Sequence, residues 1–199
     1  ESGKISLGDE LLFSPSNEIV KIKSFEGWPE PKKKYSTGDS VAFTLNEQIF
    51  VDRGNLVSNI DNPPKLMQTF EANIFWLSEK EIDLSKKYLL KIHTGEYLVK
   101  INKIKKIINT ENLESKKYNN SLKKNDISEI VIHSSQMIPM DDFKDNEKTG
   151  RFCLLDDEEI LAGGIVDLSN YPDQRESPVQ PNIKPTIFSV NENDRSSKY

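Results

Sequence analysis

The feature that most constrains this chain is an alternation of apolar and polar residues that recurs along most of its length. In SVAFTLNEQ, residues 40–48, Val41, Phe43 and Leu45 are separated by small or polar residues. Successive side chains of a strand point to opposite faces of a sheet, so a period of two predicts a half-buried strand. The same pattern occurs in IVKIKSF, YLLKIH and EYLVKI, at residues 19–25, 88–93 and 96–101.

Turn residues separate these strands at short intervals. His93-Thr94-Gly95-Glu96 lies between two of them, and we expect Gly95 to supply the positive φ of a tight hairpin. No window of helical length keeps a period of 3.6, and only Thr110–Lys117 has room for a short helical turn. Many short strands joined by tight turns are typical of barrels and sandwiches, so the chain is predicted to be all-β.

Proline-containing stretches divide the 199 residues into three parts. Pro63-Pro64 cannot continue a strand ladder, and we place the first boundary there. The stretch SNYPDQRESPVQPNIKP, which follows Leu168, has too few apolar residues to offset the entropy of ordering it. The prediction is a first β domain over residues 1–64, a second over residues 65–168 and an extended linker over residues 169–199.

The segment GRFCLLDDEEILAGGIVDL, Gly150–Leu168, places four consecutive acids and a Gly-Gly pair between apolar residues. A phosphate-binding loop requires G-x-x-x-x-G-K-[ST], which the sequence lacks, and Gly163-Gly164 has no third glycine for a dinucleotide site. We therefore predict two strands joined by a hairpin at Asp156–Glu159. A Gly-Gly pair inside a strand indicates a bulge or the close approach of another part of the chain.

We expect no catalytic residue, bound cofactor or metal ion in this chain. The two histidines, His93 and His133, and the single Cys153 lack the close spacing of zinc ligands. Cys153 lies in an apolar strand, where a thiol is usually buried and inert, which argues against a Cys–His nucleophile. The acids of MDDFKDNEKTG, residues 140–150, are interrupted by lysines, so a solvated loop is expected rather than a calcium site.

The charge balance argues against a nucleic-acid partner. Asp and Glu number 32 against 27 Lys and Arg, which gives a formal net charge of -5, whereas phosphate binding requires a basic face. No apolar run approaches the ~20 residues that span a bilayer, and no signal peptide is visible. We expect a cytoplasmic protein without membrane association. Because the sequence opens in strand-like residues without Met, we also expect it to derive from a longer chain.

Several stretches together resemble one family. ESGKISLGDELLFSPSNEIVKIKSFEGW and GDSVAFTLNEQIFVDRGNLVS look like the second domain of translational GTPases, in the form found in the large, GTPase-type subunit of sulfate adenylyltransferase. TFEANIFWLSEKEI, YLLKIHTGEY and DFKDNEKTGRFCLLDDEEILAGGIV are similar to the third domain of that family. Within these stretches, EQIFVDRG and NIFWL favour the sulfurylase branch over the elongation factors. IFSVNENDRSSKY, at the C-terminus, is similar to the lead-in to an adenylylsulfate kinase domain in fused versions.

The resemblance implies two small Greek-key β-barrels, one elongation-factor domain 2-like and lacking its first strands, the other domain 3-like with about six strands. It also implies a parent enzyme that makes adenylylsulfate from ATP and sulfate on a separate small subunit, driven by GTP hydrolysis. GTP, ATP and Mg would then belong to the parent, and this region would bind no cofactor. The implied partners are the small catalytic subunit, the chain's own GTPase domain and, in fused versions, the kinase domain.

Contact residues for such partners are expected in two places. Trp28, in the loop EGWPEP, is one candidate, whereas Trp76, in IFWL, is predicted to lie in a core. Arg151, Gly163 and Gly164, in the strands of the Gly-Gly hairpin, are the others. The alternative function is an elongation-factor-like module that binds aminoacyl-tRNA, which the acidic balance opposes. A free-standing binding protein without an enzymatic parent is a third alternative.

Overall fold

The computed structural model describes residues 1–28, 30–108, the backbone of 115–116, and 122–175. Every helix or strand in this part of the chain is a β-strand, which confirms the all-β prediction. The strands are β1 (Lys4–Ser6), β2 (Glu10–Ser14), β3 (Glu18–Glu26), β4 (Lys34–Ser36), β5 (Ala42–Leu45), β6 (Leu56–Asn59), β7 (Lys65–Trp76), β8 (Lys87–Ile92), β9 (Gly95–Ile108), β10 (Ser115–Lys116), β11 (Ile127–Met140), β12 (Arg151–Asp156) and β13 (Glu159–Asp167).

Two sequence predictions fall largely on residues outside this description. The short turn predicted at Thr110–Lys117 lies outside it except for β10, which pairs with the end of β9. The predicted linker is described only as far as Arg175. The domain boundaries stay predictions, with β7 beginning at Lys65 and β13 ending at Asp167. Within the described residues, no helix has the length and apolar character needed to cross a membrane.

Six strands of the second region form a closed antiparallel barrel. Their hydrogen-bonded order is β8, β9, β11, β7, β13 and β12, and β12 pairs again with β8 to close the ring. Closure removes the exposed strand edges through which sheets aggregate. The predicted barrel of about six strands is confirmed, and it provides a rigid surface on which outward-facing side chains hold fixed positions.

Inward-facing side chains of these strands fill the barrel. Tyr88, Leu90 and Ile92 of β8 are buried and Lys91 is exposed, so the alternation predicted from the sequence is present. Trp76 is fully buried, as predicted, and its indole N–H donates a hydrogen bond to the Lys80 carbonyl at 2.8 Å. Burying a large apolar side chain stabilises the fold by roughly 1.5–3 kcal/mol. Other fully buried residues include Phe70, Ile74, Ile101, Ile104, Ile130 and Leu154.

The first region consists of two smaller antiparallel sheets. One sheet has the order β5, β3, β2, β6, and the other pairs β1 with β4. Phe25 of β3 packs edge-on against Tyr35 of β4, with ring centroids 4.8 Å apart, and this contact joins the two sheets. The core of the region is formed by Leu11, Phe13, Val20, Ile22 and Phe25.

The hairpin between β8 and β9 is present, but the expectation that Gly95 supplies its positive φ is wrong. His93 takes the left-handed conformation, with a φ of 44°, and Gly95 already pairs with Ile92. A Cβ at position 95 would lie 2.6 Å from the Tyr97 ring, so any larger residue there would require that ring to move. A Cβ on Gly54 would lie 2.9 Å from the Gly95 Cα, so the first region approaches the barrel closely here.

Candidate interaction surface

The hairpin that carries the candidate residues is formed by β12 and β13. The two strands pair as far as Asp156 opposite Glu159, which confirms the predicted hairpin tip. The register shifts between Leu154 and Leu155, so the irregularity of this hairpin lies away from the Gly-Gly pair. The other expectation for Gly163-Gly164 was the close approach of another part of the chain, and the two glycines differ in this respect.

The two glycines face opposite sides of the barrel wall. A Cβ on Gly164 would lie 2.4 Å from the Phe152 Cζ, so the buried Phe152 ring occupies the space where a side chain would be. That ring packs edge-on against Phe70, with centroids 6.3 Å apart. A Cβ on Gly163 would meet nothing within 4 Å. The close approach is thus present at Gly164 on the inside, whereas Gly163 leaves a gap on the outer wall.

The outer wall around Gly163 has an apolar centre. Gly163 lies between Cys153 on one neighbouring strand and Phe75 on the other, and Ile165 follows it on its own strand. Phe75 and Ile165 are each 37% exposed. Lys91 lies opposite Cys153, and Arg151 lies opposite Ile165. We call this patch the Gly163 surface, made of Phe75, Lys91, Arg151, Cys153, Gly163 and Ile165.

A shallow depression of about 800 Å³ covers part of the Gly163 surface, and its charged lining residues are Lys91, Lys148, Arg151 and Glu1. Lys91 forms an ion pair with Glu96 at 2.9 Å, and Lys148 forms one with Glu1 at 3.1 Å. The exposed Arg151 has no ion pair within the described ranges. A planar guanidinium with free donors can bind a carboxylate through two parallel hydrogen bonds. The patch therefore combines apolar area with an arginine that forms no ion pair in the described residues, although Glu1 interacts with it electrostatically.

The fourth candidate, Trp28, lies elsewhere. It follows β3 in the connection to β4, and its side chain is 95% exposed. The depression beside Gly163 is not lined by Trp28. The structure thus brings Arg151, Gly163 and Gly164 into one hairpin, with Gly164 facing inward, and leaves Trp28 in a loop of the first region. Phe75 and Ile165 were not among the contact residues predicted from the sequence. The alternation in IFWL could have identified Phe75, because it places this residue on the face opposite to its buried neighbours.

The histidines and the cysteine do not form a nucleophilic pair among the described residues. The His93 Nε2 bonds to the Pro139 carbonyl at 3.1 Å, and the His133 Nδ1 bonds to the Thr69 hydroxyl at 2.9 Å. Because a carbonyl only accepts, the proton of His93 lies on Nε2. Burial lowers the pKa of His93 below its usual value, against an opposing effect of the Pro139 carbonyl. Cys153 is half-buried rather than fully buried.

The acidic loop at residues 140–150 is more ordered than the solvated loop that we expected. Asp142 is buried and accepts hydrogen bonds from the backbone N–H groups of Lys144 and Leu168, at 2.9 and 2.8 Å. Asp141 accepts a short hydrogen bond from the Thr149 hydroxyl. These carboxylates satisfy donors of their own loop and, through Leu168, a backbone N–H immediately after β13. Within the described ranges, no three His, Cys, Asp or Glu side chains are grouped to hold a metal ion.

Comparison with known proteins shows what this fold is similar to. A family model described as GTP-eEF1A C-terminal domain-like matches residues 69–167. The crystal structure of sup35 complexed with GMPPNP superimposes with a TM-score of 0.75 over 82% of this chain and 41% of that chain, at 23% identity. At that identity the likeness concerns the fold. It is the elongation-factor type of β-barrel that the sequence resemblance implied.

Curated relatives extend the match into the first region. Sulfate adenylyltransferase subunit 1 of Bacteroides thetaiotaomicron is 28% identical over 83% of this chain and 36% of its own length. The protein of the same name from Aliivibrio fischeri strain ES114 is 27% identical over 96% of this chain and 40% of its own length. Bifunctional enzyme NodQ of a Rhizobium species is 25% identical over 78% of this chain and 24% of its length. The chain thus spans well under half of these relatives.

Proposed function

We propose that the chain belongs to the elongation-factor-related family of sulfate adenylyltransferase large subunits and that it serves as the non-catalytic β region of such a subunit. The parent enzyme would convert ATP and sulfate to adenylylsulfate in the cytoplasm, with Mg and with GTP hydrolysis in a separate domain. Support comes from the similarity to subunit 1 proteins across both β regions. The small catalytic subunit is the proposed partner.

The role we propose for the β region is coupling. A closed barrel deforms little, so a neighbouring domain that changes its contacts with the barrel would shift the barrel as a body. GTP binding and hydrolysis in the GTPase domain would bias that position, and the barrel would transmit the bias to the small subunit as a population shift. This mechanism requires a contact surface on the barrel and no catalytic residue within it.

The observation that carries the proposal is the Gly163 surface. Its apolar centre, with Phe75 and Ile165 partly exposed, is flanked by Arg151 without an ion pair in the described chain. Arginine and large apolar residues are enriched at protein interfaces. The gap at Gly163 lets a partner side chain approach the barrel backbone, since no atom lies within 4 Å of the Cβ position.

The experiment is to introduce Gly163→Arg into the full-length large subunit and to measure its affinity for the small subunit by calorimetry. We expect the dissociation constant to rise at least about tenfold, which corresponds to roughly 1.4 kcal/mol. The melting temperature should stay close to that of the wild type, because the new side chain extends from an open position. GTP-stimulated adenylylsulfate synthesis should fall together with the affinity.

A matched control adds the same side chain elsewhere on the barrel. Gln136→Arg lies on β11, which is three strands from β12 around the ring, and its side chain is exposed. This variant should bind the small subunit as the wild type does. Equal affinity for the wild type and Gly163→Arg would contradict the proposed contact, as would an equal loss in both variants.

The C-terminal sequence supports one further part of the proposal. IFSVNENDRSSKY would lead to an adenylylsulfate kinase domain in a fused parent, and one relative carries the name of a bifunctional enzyme. Sequencing the transcript beyond Tyr199 tests this directly. A P-loop string G-x-x-x-x-G-K-[ST] encoded downstream is the expected result, and a stop codon or an unrelated domain there would refute the fused arrangement.

A further inference from the structure

The chain does not leave the barrel at the end of β13. Beyond Asp167 it hydrogen-bonds to the first half of β7. The Leu66 N–H donates to the Asp173 carboxylate at 3.0 Å, and the Gln174 N–H donates to the Leu66 carbonyl at 3.0 Å. The pairing of β13 with β7 covers only Glu71–Trp76. The segment therefore bonds to the half of β7 that β13 leaves uncovered.

The Gln174 side chain acts there as a substitute for a neighbouring strand. Its Oε1 accepts hydrogen bonds from the backbone N–H groups of Gln68 and Thr69, at 2.7 and 3.1 Å. Its Nε2 donates to the Thr69 carbonyl at 2.7 Å. An amide side chain offers the same acceptor and donor as a peptide group, so it satisfies strand groups that would otherwise need another partner.

The next residue, Arg175, reaches the first region. Its guanidinium donates to the Asn17 side-chain oxygen at 2.5 Å and to the Pro64 carbonyl at 2.8 Å. A longer contact of 3.5 Å joins it to the hydroxyl of Ser14, which is fully buried. The side chain of Arg175 is only 17% exposed, and Asp173 lies 3.5 Å from its Nε. One side chain thus contacts the turn after β2 and the residue that precedes β7.

We infer that residues 171–175 form an interdomain latch, in which Gln174 fixes the segment to β7 and Arg175 holds the first region against the barrel. The inference stands on these contacts alone and does not depend on the proposed function. Gln174 and Arg175 are consecutive residues, so a force or a partner that displaces the chain after Arg175 would break the hydrogen bonds of both. The first region would then be free to change its orientation relative to the barrel. The latch links whatever follows residue 175 to the relative orientation of the two β regions.

The test uses the complete 199-residue chain and residual dipolar couplings, which report the orientation of each region. A single alignment tensor should fit the couplings of β1–β6 and of the barrel in the wild type. Arg175→Ala should require two different tensors. The control Lys103→Ala removes a positive charge from an exposed position of β9 and should keep a single tensor. A single tensor in Arg175→Ala would overturn the inference.

The second anchor has its own measurement. Gln174→Ala should accelerate amide hydrogen exchange at Gln68 and Thr69 by at least about tenfold, because both N–H groups lose their acceptor. Exchange at Ile74, which lies in the half of β7 that β13 covers, should not change. Unchanged exchange at Gln68 and Thr69 would show that Gln174 does not hold the segment. Accelerated exchange throughout β7 would also overturn the latch, because it would indicate loss of the strand itself.

Discussion

Replacing Gly164 with alanine tests how the hairpin is built, since it adds one methyl group to the inner face of the barrel wall. The new Cβ would lie 2.4 Å from the Phe152 Cζ, well inside van der Waals contact. The ring cannot easily withdraw, because Phe152 is buried and its edge packs against Phe70. The strand or the ring therefore has to move, and a densely packed interior resists both.

The expected loss in the free energy of unfolding is about 1–3 kcal/mol, the usual cost of inserting a methylene-sized group into a packed core. In a domain of about 100 residues, a loss of 1 kcal/mol lowers the melting temperature by roughly 4–8 °C. Gly163→Ala is the matched control, because its Cβ meets nothing within 4 Å. That variant should retain wild-type stability or gain up to about 1 kcal/mol through a less flexible unfolded chain.

Urea unfolding followed by tryptophan fluorescence measures both variants, since Trp76 lies in the barrel core. The double variant Gly164→Ala/Phe152→Leu should recover part of the loss, because the smaller side chain vacates the contested space. Equal stability of Gly164→Ala and Gly163→Ala would refute the assignment of the two glycines to opposite faces.

Three further results are expected. Because burial lowers the pKa of His93, the unfolded chain binds a proton below about pH 6.5 that the folded chain resists, so stability falls as the pH falls. His93→Asn, which tolerates the positive φ, should flatten this dependence in urea titrations, and an unchanged pH dependence in this variant would contradict the role of His93. Trp76→Phe removes the donor to the Lys80 carbonyl and should cost about 1–3 kcal/mol in urea unfolding; a smaller loss would contradict the role of that hydrogen bond. Trp28→Ala should change the unfolding free energy by less than about 0.5 kcal/mol because the ring is exposed, and a larger loss would mean that the ring packs in the folded chain.

The sequence predicted the fold well where one physical rule dominates. Alternation specified the buried faces of β3 and β8, since shifting a strand by one residue would expose its apolar side. Acidic residues between two apolar runs located the tip of the β12–β13 hairpin. The family resemblance predicted β-barrels. Alternation alone does not distinguish a barrel from a sandwich.

The features that the sequence did not predict have one cause in common, because each depends on contacts between distant parts of the chain. Nothing near Gly95 in sequence reveals that His93 takes the positive φ, or that Gly54 approaches this turn. Gly163 and Gly164 look equivalent in the sequence, and only the register against Phe152 separates them. The segment ending at Arg175 has the composition of a linker, yet its polar side chains bond to backbone groups of β7. Composition predicts poor burial but not specific hydrogen bonding.

We propose that the outer wall around Gly163 is a contact surface for the small subunit. Cys153 lies on that surface and is the single cysteine of this chain, so its alkylation rate reports access to the patch. The measurement is the rate of maleimide labelling of the Cys153 peptide in the full-length large subunit, by mass spectrometry, with and without the small subunit. The account predicts that saturating small subunit slows labelling at least about tenfold through loss of access. An unchanged labelling rate in a complex shown to be fully assembled would contradict it.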